Sequence, residues 1–295
     1  VANSFFVGCG YVGRRVAERE LQDGGRVGAL VRSTESAQRL GDAGIDTVTC
    51  DLDDQLGLPA IDLSGQVLYW FAPPPLDGLV DPRIAVLLNS IGDSMLPSRL
   101  ILISTTGVYG DCKGAWITES QQLCPQTDRA RRRVDAEKVA GDWCRRTGVT
   151  TIILRVPGIY GPGKLPIKRL QRQEPMLAPE QSPWSNRIHV ADLARTCMAA
   201  ARTKVGKALT LPAICNVSDG NPSTMADYYF AVARFQGLPN PPIFDRESAK
   251  EVLSSRILSY LDESKRIDNS RMQEWLGVIP EFPDLNRGLK PSESL

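Results

Sequence analysis

Short apolar runs recur through the first 160 residues, and between them apolar positions return every three or four residues. The runs are Phe5–Val7, Arg26–Val31, Thr47–Cys50, Val67–Ala72, Leu100–Ser104 and Thr151–Val156. Most are short, apolar on both faces and rich in β-branched residues, as strands of a buried parallel sheet are. Val12, Val16, Ala17 and Leu21 follow the first run at helical spacing. Ile84–Met95 and Arg131–Arg145 read as further helices, the latter with an apolar stripe of Ala136, Val139, Ala140 and Trp143. Pro73-Pro74-Pro75 stops the fourth run, because proline cannot extend a strand ladder. This alternation predicts an α/β fold with a doubly wound parallel sheet.

Past Gly161-Pro162-Gly163 the pattern changes. Residues 164–186 are polar and interrupted by breakers, which suggests a loop-rich or lid-like region. A helix is expected from about Val190 to Arg202, and Ile214–Val217 reads as one more strand, placed to return to the sheet. Turn signals at Asp219-Gly220-Asn221-Pro222 and Leu238-Pro239-Asn240-Pro241-Pro242 frame two or three final helices. The expected division is residues 1–160 for the sheet domain and mostly residues 161–295 for a smaller C-terminal region.

Composition narrows the function. Thirty-five basic side chains against 34 acidic ones leave a net charge of +1, which gives no general field for nucleic acid or an anionic membrane. The basic run Arg129-Ala130-Arg131-Arg132-Arg133 is short and lacks interleaved aromatics, so nucleic acid is not the expected partner. No stretch is long and apolar enough to suggest a membrane span or a signal peptide. Seven scattered cysteines without a C-x-x-C pair, and His189 as the lone histidine, argue against structural zinc. Reduced thiols in a cytoplasmic protein are the plain expectation.

Gly8-Cys9-Gly10-Tyr11-Val12-Gly13 lies between the first run and the first helical pattern. A strand, a turn with G-x-G-x-x-G spacing and a helix together suit a dinucleotide pyrophosphate. Gly8 permits the turn, Gly10 admits the phosphates, and Gly13 lets helix and strand pack closely. The helix N-terminus adds unpaired N–H groups and a positive dipole end. The sheet is therefore expected to be of Rossmann type. Where an NAD-selective site carries an acid, this chain has Arg32, followed by Ser33 and Thr34. A guanidinium beside hydroxyls suits a 2′-phosphate, so NADP is expected, with NAD the other possibility. Asp51 is placed either to bond adenine or to begin a turn, and Ala72 closes the fourth strand beside the cofactor.

A second set of residues is ordered along the chain. It comprises Ser104-Thr105-Thr106-Gly107-Val108-Tyr109-Gly110, then Arg129, Arg133 and Glu137, then Arg155-Val156-Pro157-Gly158-Ile159-Tyr160-Gly161, then Arg187-Ile188-His189-Val190-Ala191-Asp192. Together with the glycine turn these resemble the extended short-chain dehydrogenase/reductases, in the NAD(P)-dependent epimerase/dehydratase branch. The resemblance spans nearly the whole chain and is closest to an atypical bacterial subgroup. It implies an active site between a dinucleotide domain and a substrate domain. It also implies that Thr105 orients the reacting oxygen, with Tyr109 nearby, and that Tyr160 faces the cleft. A homodimer through Ile84–Met95 and Arg131–Arg145 follows by analogy alone.

The chain departs from that family where proton transfer is handled. The slots of the family's Tyr-x-x-x-Lys pair hold Arg129 and Arg133. Arginine cannot exchange a proton near neutral pH, its pKa exceeding about 12. Arg133 can still bond the nicotinamide ribose, and Arg129 can clamp a carboxylate or phosphate. The alternative is a solvated helix face, with Arg133–Glu137 an ordinary surface pair. The family's diphosphate-binding arginine is replaced by Ser185, while Arg187 sits two residues before His189. His189 is expected to be structural, and Asp192 to oppose the dipole of the following helix. Two functions stay open: an oxidoreductase or epimerase on a sugar-like or carbonyl small molecule, using Tyr109 or Tyr160 for the proton, or a non-catalytic NADP(H) sensor or scaffold.

Overall fold

Alternation along each strand decides which side chains meet on each face of the central sheet. The computed structural model describes residues 3–290, apart from 55–56, 207–209, 254–256 and 259–260. Its sheet contains β1 (Ser4–Val7), β2 (Val27–Val31), β3 (Asp46–Thr49), β4 (Val67–Trp70), β5 (Arg99–Thr105), β6 (Thr150–Val156) and β7 (Ala213–Asn216). The seven strands run parallel in the order β7-β6-β5-β4-β1-β2-β3. The strand expected near 214–217 thus returns to the sheet beside β6. Phe6, Tyr69, Ile101 and Ile152 fill one face, and Phe5, Val7, Trp70, Leu100 and Leu102 fill the other. Both faces are covered over the inner strands, which therefore read as continuous apolar runs, whereas the edge strand β3 is partly exposed. Burying each large side chain contributes roughly 1.5–3 kcal/mol.

Helices α1 (Tyr11–Gln22), α2 (Thr34–Gly41), α3 (Pro82–Ser90), α4 (Asp128–Thr147), α5 (Val190–Arg202) and α6 (Met225–Phe235) include those that cover the sheet. Helices α1 and α5 pack on the Phe6 face, α3 and α4 on the Trp70 face. The α3 range corrects the expected Ile84–Met95. Asp81 caps the Arg83 N–H and Pro82 opens the helix, while Gly92 separates it from a short 3-10 turn at Asp93–Met95. Helix α4 exceeds the expected Arg131–Arg145. Thr127 caps it, and Gly148, in the left-handed region, ends it. Helix α2 was not visible as an apolar stripe, because it buries only Leu40.

Strand order reverses between β4 and β1, opening a crevice at their C-terminal ends. Gly8 and Ala72 meet there. After β6 the chain builds a smaller body around Tyr160, Leu170, Met176, Tyr228, Tyr229 and Val232. Among the described residues, no helix is long and apolar enough to cross a membrane.

Candidate active site

The glycine turn has the shape its sequence demands. Gly8 has φ +89°, and a Cβ there would lie 2.6 Å from the Ala72 nitrogen. A Cβ on Gly13 would meet the Gly8 carbonyl oxygen at 2.8 Å, so helix and turn touch only because Gly13 lacks a side chain. Gly10 differs, since a Cβ there would meet nothing within 4 Å. No side chain caps α1 and no acid occupies its first turn, so no side chain competes for its first N–H groups. That is a cradle for an anion. Cys9 is buried, and burial pushes its thiol up to about 12. Val12 packs against the core. Tyr11 donates its hydroxyl to the Pro162 carbonyl at 2.9 Å, tying the helix to the loop after β6.

Beside this cradle lies a cleft of about 470 Å³ between the sheet and the smaller body. Thr105, Arg129, Arg133, Tyr160 and Arg187, all singled out from the sequence, line it together. Thr105 Oγ1 accepts from the Gly107 N–H at 3.2 Å, which leaves its own hydrogen to donate. Arg133 reaches the Ala72 carbonyl at 3.5 Å, where β4 meets the glycine turn, and burial lowers its pKa. Arg187 is 6% exposed, and burial lowers its pKa. Its guanidinium lies 3.9 Å over the Tyr228 ring and donates to Ser185 Oγ at 2.9 Å. Among the described residues no carboxylate forms an ion pair with it.

Tyr109 is not brought into the cleft. It is 0% exposed, and its hydroxyl accepts from Arg155 at 2.9 Å and donates to Asn216 at 2.7 Å. Burial pushes its phenol up to about 12. Glu137 is no surface partner of Arg133. It is buried, grips Arg155 through two bonds of 3.1 and 2.7 Å, and accepts from Ser104 at 2.5 Å. Tyr160 does line the cleft, but burial pushes its phenol well above the ordinary range.

Arg32 and Asp51 stand exposed beyond β2 and β3. Ser33 caps α2 by accepting from the Ser36 N–H. Asp51 accepts from the Asp53 N–H, which is a turn geometry. His189 caps α5. It accepts from the Ala191 N–H at 3.3 Å and packs 3.9 Å from the Phe282 ring. Asp192 does more than oppose a dipole, since it accepts from the Glu281 and Phe282 N–H groups and pairs with Arg195.

Sequence reasoning missed the far wall of the cleft, namely Trp184, Tyr228, Tyr229, Glu263 and Lys265. Lys265 donates to Glu263 Oε2 at 2.7 Å, and Glu263 Oε1 is buried without a hydrogen-bond partner among the described residues. The Asn186 side chain holds this segment, donating to the Lys265 carbonyl at 3.0 Å and accepting from the Ile267 N–H at 2.8 Å. No local spacing signals a contact between residues 186 and 265. The adjacent acid and base in Glu263-Ser264-Lys265 were the only hint.

The family model for NAD dependent epimerase/dehydratase matches residues 85–212. No curated protein matches the chain. A conserved protein of unknown function from Silicibacter pomeroyi DSS is 29% identical, with TM-score 0.78 over 98% of this chain and 97% of that one. UDP-glucuronic acid 4-epimerase from Bacillus cereus, solved with NAD, is 18% identical, with TM-score 0.75 over 97% and 96% of the two chains. UDP-glucose 4-epimerase from Thermotoga maritima, solved with UDP-glucose, is 16% identical, with TM-score 0.75 over 98% and 96%.

Proposed function

We propose that this chain, whose residues 85–212 match the NAD dependent epimerase/dehydratase family model, is a nicotinamide-dependent oxidoreductase or epimerase. Its substrate is a sugar-like or carbonyl compound that carries an anionic group. The observation that carries the second half is Arg187, a buried cation in the cleft wall that forms no ion pair with a described carboxylate. Burying an isolated charge is costly, and an anion in the cleft would offset that cost.

The residues present fit a dinucleotide. The open Gly10 position and the uncapped α1 terminus suit its pyrophosphate, Arg133 suits the nicotinamide ribose, and Arg32 suits a 2′-phosphate. We therefore favour NADP, while the Bacillus cereus epimerase was solved with NAD. The cofactor supplies hydride chemistry; the chain supplies position and field. Thr105 donates to the reacting oxygen, Arg129 stabilises negative charge developing there, and Arg187 holds the distal anion.

Arginines in both acid/base slots favour a second reading, an NADP(H)-binding sensor without turnover. One screen separates the two. Sugar acids, sugar phosphates and nucleotide sugars are added to protein with either nicotinamide cofactor, and nicotinamide absorbance is followed. Turnover of an anionic member, with KM raised at least about ten-fold by Arg187→Met, supports the enzyme. Tight cofactor binding without turnover of any member supports the sensor.

A further inference from the structure

The cleft contains a hydrogen-bonded lysine–glutamate pair outside the motif from which the family's acid and base are drawn. We propose that Lys265 is the residue that exchanges a proton with the reacting oxygen, held in place by Glu263; this rests on the nicotinamide-dependent reading above. Both side chains line the same cleft as Thr105, and they are 7% and 11% exposed.

The cleft's own inventory leads to this pair. Arg129, Arg133 and Arg187 cannot exchange protons near neutral pH. The described titratable groups that remain along the lining are Tyr160, Tyr228, Tyr229, Glu263 and Lys265. Burial pushes Tyr228 up to about 12 and Tyr160 and Tyr229 upward as well. Tyr229 is moreover occupied by the Arg169 guanidinium, which donates to its hydroxyl. An ammonium has three donors, and Glu263 Oε2 takes one of those on Lys265. The others remain for a substrate oxygen.

Glu263 Oε1 supports the same assignment. A buried carboxylate oxygen without a partner costs stability unless something in the cleft donates to it. A hydroxyl beside the reacting carbon does so, and the substrate is then gripped by both members of the pair. The segment is fixed from outside the cleft by Asn186 and by pairing of Arg266–Ile267 with Trp116–Ile117. Lys265 and Glu263 are therefore presented on a braced segment rather than a loose tail.

The step balances in either direction. In reduction, a bound reduced nicotinamide would supply hydride to the carbonyl carbon and itself be oxidised, and the C=O π pair would move to oxygen. The Lys265 N–H bond breaks and an O–H bond forms. The carbon is thereby reduced, and the neutral amine regains a proton from water. Oxidation of an alcohol reverses each movement, with the neutral amine accepting the hydroxyl proton.

The test begins with the screen described above and with NADPH and NADH titrations of wild-type protein, Lys265→Met, Lys265→Arg and Glu263→Gln. All four are expected to bind cofactor within about two-fold of one another, which also shows that they are folded. With the substrate that the screen identifies, Lys265→Met is expected to lose at least about 100-fold in kcat. Lys265→Arg, which keeps the charge but cannot release a proton, is expected to lose as much. Glu263→Gln, which removes the charge that holds Lys265 in place, should keep partial activity, with its loss falling on kcat rather than on KM. Acylation of Lys265 by acetic anhydride, read by mass spectrometry, should slow at least about five-fold when that substrate saturates the protein. Wild-type turnover retained in Lys265→Met, or rescued fully in Lys265→Arg, overturns the assignment and leaves the proposed function standing. Cofactor binding without wild-type turnover of any panel member overturns both.

Discussion

Two polar clusters flank the end of β5, and they differ in how their charges are answered. Behind the strand, Glu137 and Arg155 are buried and paired bidentately, with Ser104, Tyr109 and Asn216 completing the network. In front of it, Arg187 is equally buried and lacks an ion-pair partner among the described residues, and Glu263 keeps a bare oxygen. Protein interiors pair their charges because an isolated one is expensive. The closed cluster is therefore architecture. Under the proposed function, the open one is completed by an anion that enters the cleft.

The largest expected effect lies in the closed cluster. Arg155→Met strands a buried carboxylate and should cost about 3–5 kcal/mol of unfolding free energy, measured by urea titration. A loss below about 1 kcal/mol would show that the two clusters do not differ as described.

Asp219 gives the next effect, because it lies near Arg187 without pairing to it. Burial pushes its carboxyl up to about 7, with Arg187 among the groups pulling it down. Its unfolded pKa is about 3.9, so the folded state holds this proton longer. The stability it contributes is complete below about pH 4 and is lost as pH rises through about 7. Asp219→Asn should therefore gain about 2–4 kcal/mol over wild type at about pH 8, and little at about pH 4. Paired thermal melts at the two pH values check this, and equal differences at both would contradict it.

Arg187→Met should behave opposite to Arg155→Met. It removes a buried charge that has no ion-pair partner, so at about pH 5, where Asp219 is protonated, stability should hold within about 1 kcal/mol or rise. A large loss would mean that Arg187 is architectural too. Arg32→Asp is expected to leave stability alone and weaken NADPH about ten-fold or more relative to NADH, read by fluorescence titration. Equal losses for both cofactors would remove the 2′-phosphate argument.

The contrast between the clusters also marks how far the sequence could be read. The sheet and the glycine turn were legible because their signals are local: apolar runs buried on both faces, and glycines wherever a Cβ would collide. Thr105, Arg133 and Arg187 reached the cleft because each sits at or near the end of a strand or on the helix beside it. Tyr109 failed to do so because Val108 and Tyr109 both turn inward after β5, where the hydroxyl finds Arg155. No spacing on α4 could show that Glu137 prefers Arg155, eighteen positions away, to Arg133 on its own helix. The Glu263–Lys265 pair was hidden for the same reason, being placed by Asn186 across a long sequence separation.

The most direct test is a titration of the purified protein with NADH and NADPH, following nucleotide and indole fluorescence, alongside the variant Gly10→Val. Wild-type protein should show saturable binding, and the variant, whose side chain fills the open space above α1, should lose it while melting at an unchanged temperature. Failure of both nucleotides to bind wild-type protein would contradict the account at its root.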